Sequence, residues 1–455
     1  MTTATEIERF AADAAVERFA RHVNPTFVEL LRVFGYGRLY TRARDIWVWD
    51  DRERQYLDCL AGFGAVNIGH NHPRLLARLQ AFLESASLNY CHVAPSPFMA
   101  DLGEALAALA APLEMALYAN SGAESVEAAM KLACAATGRH RFVYCAGGYH
   151  GTSVGTLAVM GERRRRQAFA PLLAGAVEIP FGDLGTLKDA LSARDVAAFI
   201  VEPIQAEAGV QLPPPGYLAE AAALCRRFGA LLVFDEVQTG LGRTGSLLAC
   251  DAEAVTPDVL VLAKSLGGGI ASIGAALTRS DIYRKAYGAR ERFDWHGSTF
   301  AGNAFACIAA METLSILRAE RLPENSATRG TQLATGLRRR LEGHPLVKDI
   351  RGRGLLAAIE IGPTEHGWVN RLAPALVSIG SKKAFGQWIS LKLLECGIIC
   401  QPAAHRWDVL KIEPPLTIQA REIDRFIDTI GDIFDAYRTL PALVADITKR
   451  LAKIG

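Results

Sequence analysis

The sequence predicts an α/β protein, with a large domain built on a mostly parallel sheet flanked by helices and a smaller α+β domain made from the N- and C-terminal segments. Three observations carry that prediction. Between about residues 73 and 320, short β-rich runs alternate with segments of helical periodicity, the order a helix-covered parallel sheet requires. Near the N-terminus, Leu39 and Tyr40, then Ile46 to Trp49, flank a polar turn and read as a small antiparallel piece. After Arg351-Gly-Arg-Gly354 the pattern becomes strand, helix, strand, helix again. The expected boundaries are 1–72 for the N-terminal segment of the small domain, 73–330 for the large domain and 331–455 for the C-terminal part of the small domain.

Within the large domain, Met115 to Ala119, Phe142 to Cys145, Ala197 to Val201, Leu231 to Phe234, Val259 to Ala263 and Gly274 to Thr278 are short apolar runs, as strands buried on both faces are. Between them, Glu124 to Ala136 and Gly216 to Phe228 have helical spacing. At 455 residues the chain is long enough for one large domain and a smaller one. Hydrophobic residues make up 50% and charged ones 22%, the balance of an ordinary globular enzyme, and a formal charge of +2 argues against nucleic acid as a partner. No apolar stretch reaches the length of a membrane span. Residues 1 to 20 are broken by Glu6, Glu8, Asp13 and Glu17, unlike a signal peptide. The nine cysteines form no C-x-x-C pair and read as buried thiols of a reduced, cytoplasmic protein.

Two strand ends carry the chemistry. The run Leu231 to Phe234 ends in Asp235, and Val259 to Ala263 ends in Lys264. Open α/β sheets bind ligands at the C-terminal edge of their strands, so both ionisable groups would meet there. A lysine to condense with an aldehyde and a carboxylate to keep a pyridine nitrogen protonated are what pyridoxal phosphate needs. Either residue alone more commonly just begins a loop. Asn120-Ser-Gly-Ala-Glu-Ser-Val-Glu-Ala-Ala-Met-Lys131 follows a strand and opens a helix. It reads as a phosphate-binding helix N-terminus, or as a plain N-cap with Ser121 capping and Glu124 completing a capping box. Gly147-Gly-Tyr-His-Gly151 offers Tyr149 to stack on a ring, the alternative being a core tyrosine. His296-Gly-Ser-Thr-Phe-Ala-Gly-Asn303 offers hydroxyls to the same phosphate.

Together with Val201-Glu-Pro-Ile-Gln-Ala-Glu-Ala-Gly209, Phe234-Asp-Glu-Val-Gln-Thr-Gly-Leu-Gly-Arg-Thr-Gly245 and Ala263-Lys-Ser-Leu-Gly-Gly-Gly269, these motifs resemble the class III aminotransferases of PLP fold type I, from about Gly35 to the C-terminal helix. The nearest likeness is the putrescine, ornithine and acetylornithine group. Leu212-Pro-Pro-Pro-Gly-Tyr217, Leu60-Ala-Gly-Phe-Gly64 and Ile412-Glu-Pro-Pro-Leu416 look particularly like the putrescine enzymes.

The resemblance implies that Lys264 binds the cofactor covalently and acts as acid-base, and that Asp235 pairs with the ring nitrogen. It makes Ser121, Gly122 and Ala123 phosphate contacts, Tyr149 and His150 ring neighbours, Gln238 the partner of the 3-hydroxyl and Glu202 an orienting group. Thr299 would reach the phosphate of a second subunit, which implies a homodimer. Glu207 matches a gate glutamate that pairs with an arginine in the ornithine-type enzymes. At that arginine's position this chain has Lys411, which lacks the planar fork that grips a carboxylate. A second expected arginine is Thr152, and the tyrosine that marks ornithine recognition is Phe63.

The expected reaction is therefore ping-pong transfer of a terminal amino group between an amine, such as a diamine, and a 2-oxo acid. Glutamate could still donate through Lys411. An alternative is amine installation on a bulky or lipid-like aldehyde of the hopanoid type, prompted by the apolar segment Gly362 to Phe385 with Trp368, Leu372, Leu376, Val377 and Ile379. That segment would cover the dimer, line the entrance or simply pack on the small domain. Other PLP chemistry on the same scaffold (an aminomutase, racemase or decarboxylase) and a non-catalytic relative are further alternatives; the presence of both Lys264 and Asp235 argues against the last. His70-Asn-His72, lacking a carboxylate or cysteine partner in its motif, is expected to be a family loop and not a metal site. Arg163 to Arg166 reads as a solvated helix end or loop, and Gly267-Gly-Gly269 lacks dinucleotide-loop spacing.

Overall fold

The computed structural model describes residues 12–33, 37–90, 93–362, 380–438 and 446. In chain order, β1 (Tyr40–Arg44), β2 (Trp47–Asp50) and β3 (Gln55–Asp58) form an antiparallel meander. The large sheet is then laid down by β4 (Met115–Ala119), β5 (Arg141–Cys145), β6 (Ala176–Ile179), β7 (Val196–Val201), β8 (Leu231–Asp235), β9 (Val259–Leu262) and β10 (Gly274–Thr278). Finally come β11 (Val347–Arg353), β12 (Leu356–Ile361), β13 (Ile398–Ile399), β14 (Gln401–Pro402) and β15 (Val409–Ile412).

The large sheet has the order β4-β10-β9-β8-β7-β5-β6. Strands β9, β8, β7, β5 and β6 run parallel, while β10 lies antiparallel to both β9 and β4. Every residue of β7 and β9 is buried, which explains why these strands read as continuous apolar runs without alternation. Strand β6, absent from the apolar runs above, sits at the sheet edge with three of its four residues half-buried. Its sequence Ala-Val-Glu-Ile is too mixed to stand out as a buried strand.

The helix Gly122–Thr137 follows β4 and packs across β10, β4, β7 and β9, burying Val126, Ala129, Met130 and Ala133. It begins two residues before the expected Glu124, because Gly122 and Ala123 already lie in its first turn. Gly138 ends it in the left-handed conformation, at φ +70°, and donates back to Cys134 O.

Two smaller sheets complete the architecture. In one, β13 adds in parallel to β3, pairing Ile398 with Leu57, so chain segments far apart in sequence share a ladder. The other is antiparallel, ordered β11-β12-β15-β14. Strand β15 is buried throughout and carries Lys411. Of the apolar segment around Trp368, residues 363–379 lie outside the described residues, as do Gly35 and Cys91. Among the described residues no helix is long and apolar enough to cross a membrane.

Candidate active site

Neighbouring parallel strands deliver the two strand-end groups to one edge. Asp235 closes β8 in register with Val261 of β9, and Lys264 follows the end of β9. Asp235 is buried, and its Oδ2 accepts a 2.7 Å hydrogen bond from His150 Nδ1, while Oδ1 accepts Val237 N at 3.0 Å. Burial alone would lower the His150 pKa, but the hydrogen bond and charge of Asp235 prevail and raise it above its ordinary value. The ring's other nitrogen, Nε2, is buried without a hydrogen-bond partner among the described residues.

Glu202, just beyond β7, holds the loop that bears His150. Its Oε1 accepts Tyr149 N at 2.8 Å and its Oε2 accepts Ala206 N at 3.3 Å. Burial pushes the Glu202 carboxyl up to about 7, with His150 pulling the other way. Tyr149 is half-buried, its ring 5.7 Å from that of His405.

At the start of the helix Gly122–Thr137, Ser121 Oγ caps Glu124 N at 3.2 Å. The reciprocal half of the expected capping box is not made at Ser121. The Glu124 carboxylate instead accepts Asn120 N at 2.6 Å and Asn120 Nδ2 at 3.0 Å, which turns it away from the cap's own N–H. Gly122 and Ala123, in the first turn, have backbone N–H groups with no carbonyl one turn earlier to bond, the usual anion-binding arrangement. The chain approaches this turn closely: a Cβ on Gly122 would meet Val237 Cγ1 at 3.0 Å, and one on Gly151 would meet Ala123 Cβ at 2.6 Å. Asn120 Nδ2 also donates to Ser298 Oγ at 2.9 Å, drawing the Gly297-Ser-Thr299 loop to the helix start of its own chain. Thr299 itself is exposed.

Lys264 occupies the left-handed region at φ +46°, a strained setting for a side chain with a Cβ. Its Nζ donates to Gln238 Oε1 at 2.5 Å. Burial pushes its amine pKa down, and Lys411 pushes the same way. From Gln238 a polar chain continues, Nε2 donating to Glu413 Oε2 at 2.8 Å. The other Glu413 oxygen lies 2.9 Å from Lys411 Nζ but outside hydrogen-bonding alignment. Lys411 is fully buried and donates to Glu207 Oε1; Glu207 Oε2 accepts Ala404 N at 2.8 Å.

Despite its burial, Glu207 is held down at about 2 by the Lys411 charge, and both carboxylates keep Lys411 above its ordinary value although burial opposes it. Phe63 overlooks this cluster, its ring centroid 5.1 Å from Lys411 Nζ. It rides on a left-handed turn, Ala61–Gly64, in which all four residues have positive φ. Thr152 is exposed.

These groups fit pyridoxal phosphate: a lysine, a buried carboxylate and a helix N-terminus converge, and the unpartnered His150 Nε2 marks polar space beside Asp235. Glu413 is the member that sequence reasoning missed. A signal existed, since it stands two residues after Lys411 and strand periodicity puts both on one face. His405, against Tyr149, was equally silent. His70 and His72 each find a carboxylate after all, Asp58 at 2.7 Å and Glu320 at 3.0 Å, but these lie on different elements. In the basic run, which forms the short helix Arg163–Gln167, Arg163 and Arg166 both pair with Glu178.

Comparison with known proteins places this geometry. The family model described as aminotransferase class-III matches residues 35–434. The aminotransferase PigE of Serratia sp. is 36% identical over 94% of this chain, and the chain spans about half, 54%, of that protein's length. The ornithine aminotransferase of Toxoplasma gondii superposes with a TM-score of 0.82 at 32% identity, covering 94% of this chain and 96% of that one. A PLP-bound amine transaminase from an uncultivated Pseudomonas species gives 0.78 at 29% identity, covering 88% and 94%.

Proposed function

The chain belongs to the class-III aminotransferases, whose cofactor is pyridoxal phosphate, and from that premise we propose that it moves a terminal amino group from an amine such as a diamine to a 2-oxo acid in two half-reactions at one site. When bound, the cofactor supplies an aldehyde that takes up amino groups and a ring that accepts electron density from the neighbouring carbon.

The chain's own residues would do the rest. Gly122 and Ala123 would hold the phosphate through backbone N–H groups at the helix start, with Ser121 beside them. Tyr149 and His150 would flank the ring, Gln238 would meet the 3-hydroxyl, and Asp235 would keep the ring nitrogen protonated. Glu202 fixes the backbone of Tyr149 and so orients that loop. Lys264 Nζ, its pKa lowered by burial, takes the proton from the amine-bearing carbon of the substrate and returns it.

The observation that carries the choice of amine is the enclosure of Lys411. The one cation at the position where the ornithine-type enzymes have an arginine is fully buried and bound by Glu207 beside Glu413, and Phe63 and Thr152 offer no charge in compensation. A substrate carboxylate would have to displace those acids. A panel of diamines, ω-amino acids and α-amino acids, tested against 2-oxoglutarate and pyruvate by cofactor absorbance, checks this reading. Diamines should be the best donors; preference for ornithine or another α-amino acid would overturn it.

A homodimer belongs to the same proposal. Phe293, Trp295 and Phe300, 73%, 57% and 59% exposed, bracket the exposed Thr299, and such a cluster is what a second subunit would cover.

A further inference from the structure

We infer that Glu413 is a specificity-determining residue, the carboxylate that receives the distal ammonium of a diamine while the proximal amine reacts beside Lys264. The inference rests on the terminal-amine reading above and adds a residue and a geometry to it.

Charge is the first support. Two buried carboxylates, Glu207 and Glu413, face one buried ammonium, Lys411. Glu207 is satisfied on both oxygens, by Lys411 and by Ala404 N. Glu413 shares that ammonium: its buried Oε1 lies 2.9 Å from Lys411 Nζ, out of hydrogen-bonding alignment, and has no other partner among the described residues. Arg243, the neighbouring buried cation, directs its two terminal nitrogens at Leu355 O, Pro414 O and Asn67 Oδ1 instead, and its Nε makes no hydrogen bond among the described residues. One ammonium between two buried carboxylates leaves Glu413 the less well satisfied of the two, and a second ammonium would give its Oε1 an aligned, charge-assisted hydrogen bond.

Reach is the second support. Two hydrogen bonds and the width of one amide, that of Gln238, separate Lys264 Nζ from Glu413 Oε2. A linear diamine of about four carbons, at about 1.5 Å per bond, spans a comparable gap. Placement is the third. Glu413 follows β15 at a same-face interval from Lys411, and its Oε2 lies 3.4 Å from the position of a Cβ on Gly64, in the turn that presents Phe63. The buried carboxylate therefore lies against the turn that carries Phe63, whose aromatic face would take the methylenes.

The test compares putrescine, n-butylamine and γ-aminobutyrate as donors to the holoenzyme, in the wild type and in Glu413→Gln, using ratios of kcat/KM so that the fraction of active enzyme cancels. In the variant the putrescine to butylamine ratio should fall about tenfold or more, the worth of a charge-assisted hydrogen bond. The γ-aminobutyrate to butylamine ratio should rise, because Lys411 loses a competing acid. Opposed movements of this kind are not what a loss of packing produces. Glu413→Asp provides a second readout if the glutamine variant does not fold: it withdraws the carboxylate by one methylene and should shift preference from putrescine toward cadaverine. Unchanged ratios in Glu413→Gln, or an unchanged chain-length preference in Glu413→Asp, would overturn the inference and leave the terminal-amine reading standing. A wild-type enzyme that converts no terminal amine would overturn both.

Discussion

Replacing Lys411 by methionine tests the buried cluster most directly. The substitution keeps an unbranched apolar stem and removes the charge, leaving Glu207 and Glu413 buried with no cation bonded to either among the described residues. Breaking a buried ion pair from one side costs about 3–5 kcal/mol. A second route gives a similar figure. The cheapest relief is for Glu207 to take up a proton, and doing so at pH 7 from an ordinary value of 4.5, at about 1.36 kcal/mol per unit, costs about 3 kcal/mol.

The wild type and the variant differ in their pH signature. In the wild type the Glu207 pKa is depressed to about 2, so its contribution to stability is fully present above 4.5 and lost only as the pH falls toward 2. Between pH 5 and 7 it is flat. The variant's folded state holds a proton that its unfolded state lacks, so its stability should fall with rising pH by about 1.4 kcal/mol per unit. Urea unfolding at pH 5, 6 and 7, followed by circular dichroism, would measure both. A deficit of about 3 kcal/mol or more at pH 7 that shrinks toward pH 5 is expected, and Glu207→Gln in the same background should recover part of it. A deficit below about 1 kcal/mol, or one independent of pH, would refute the claim that Lys411 neutralises buried acids.

Lys264→Ala should abolish transamination, and borohydride reduction of the wild type followed by peptide mapping should label Lys264; labelling at Lys411 instead would reverse the assignment of the two buried lysines. Asp235→Asn should weaken cofactor retention about tenfold or more, read as bound absorbance after dialysis, since it removes the charge that His150 faces and that would also pair with the ring nitrogen in the function proposed above. Retention equal to the wild type would mean that Asp235 serves His150 alone. Thr299→Ala should loosen the cofactor in a protein that sediments as a dimer, and a fully active monomer in sedimentation velocity would remove the reason for that expectation.

What could be read from the sequence was local. Asp235 and Lys264 announced themselves because each ends an apolar run, and a parallel sheet brings the ends of adjacent strands to one edge. The helix Gly122–Thr137 was legible from its spacing and its small N-terminal residues, and the resemblance in its motifs supplied roles that periodicity alone could not. Partnership across the chain was decided by the tertiary structure. Glu207 and Lys411 are 204 residues apart, and Gln238 and Glu413 are 175 apart, so no local pattern records that they touch. The destination of the Glu124 carboxylate, the hold of Glu202 on Tyr149 N and the pairing of His150 with Asp235 are of the same kind. Periodicity encodes which face of an element is buried. Which charge meets which inside that burial depends on how sheets and loops stack, and here the stacking set two acids around Lys411 where its sequence position alone marked only a weaker substitute for arginine.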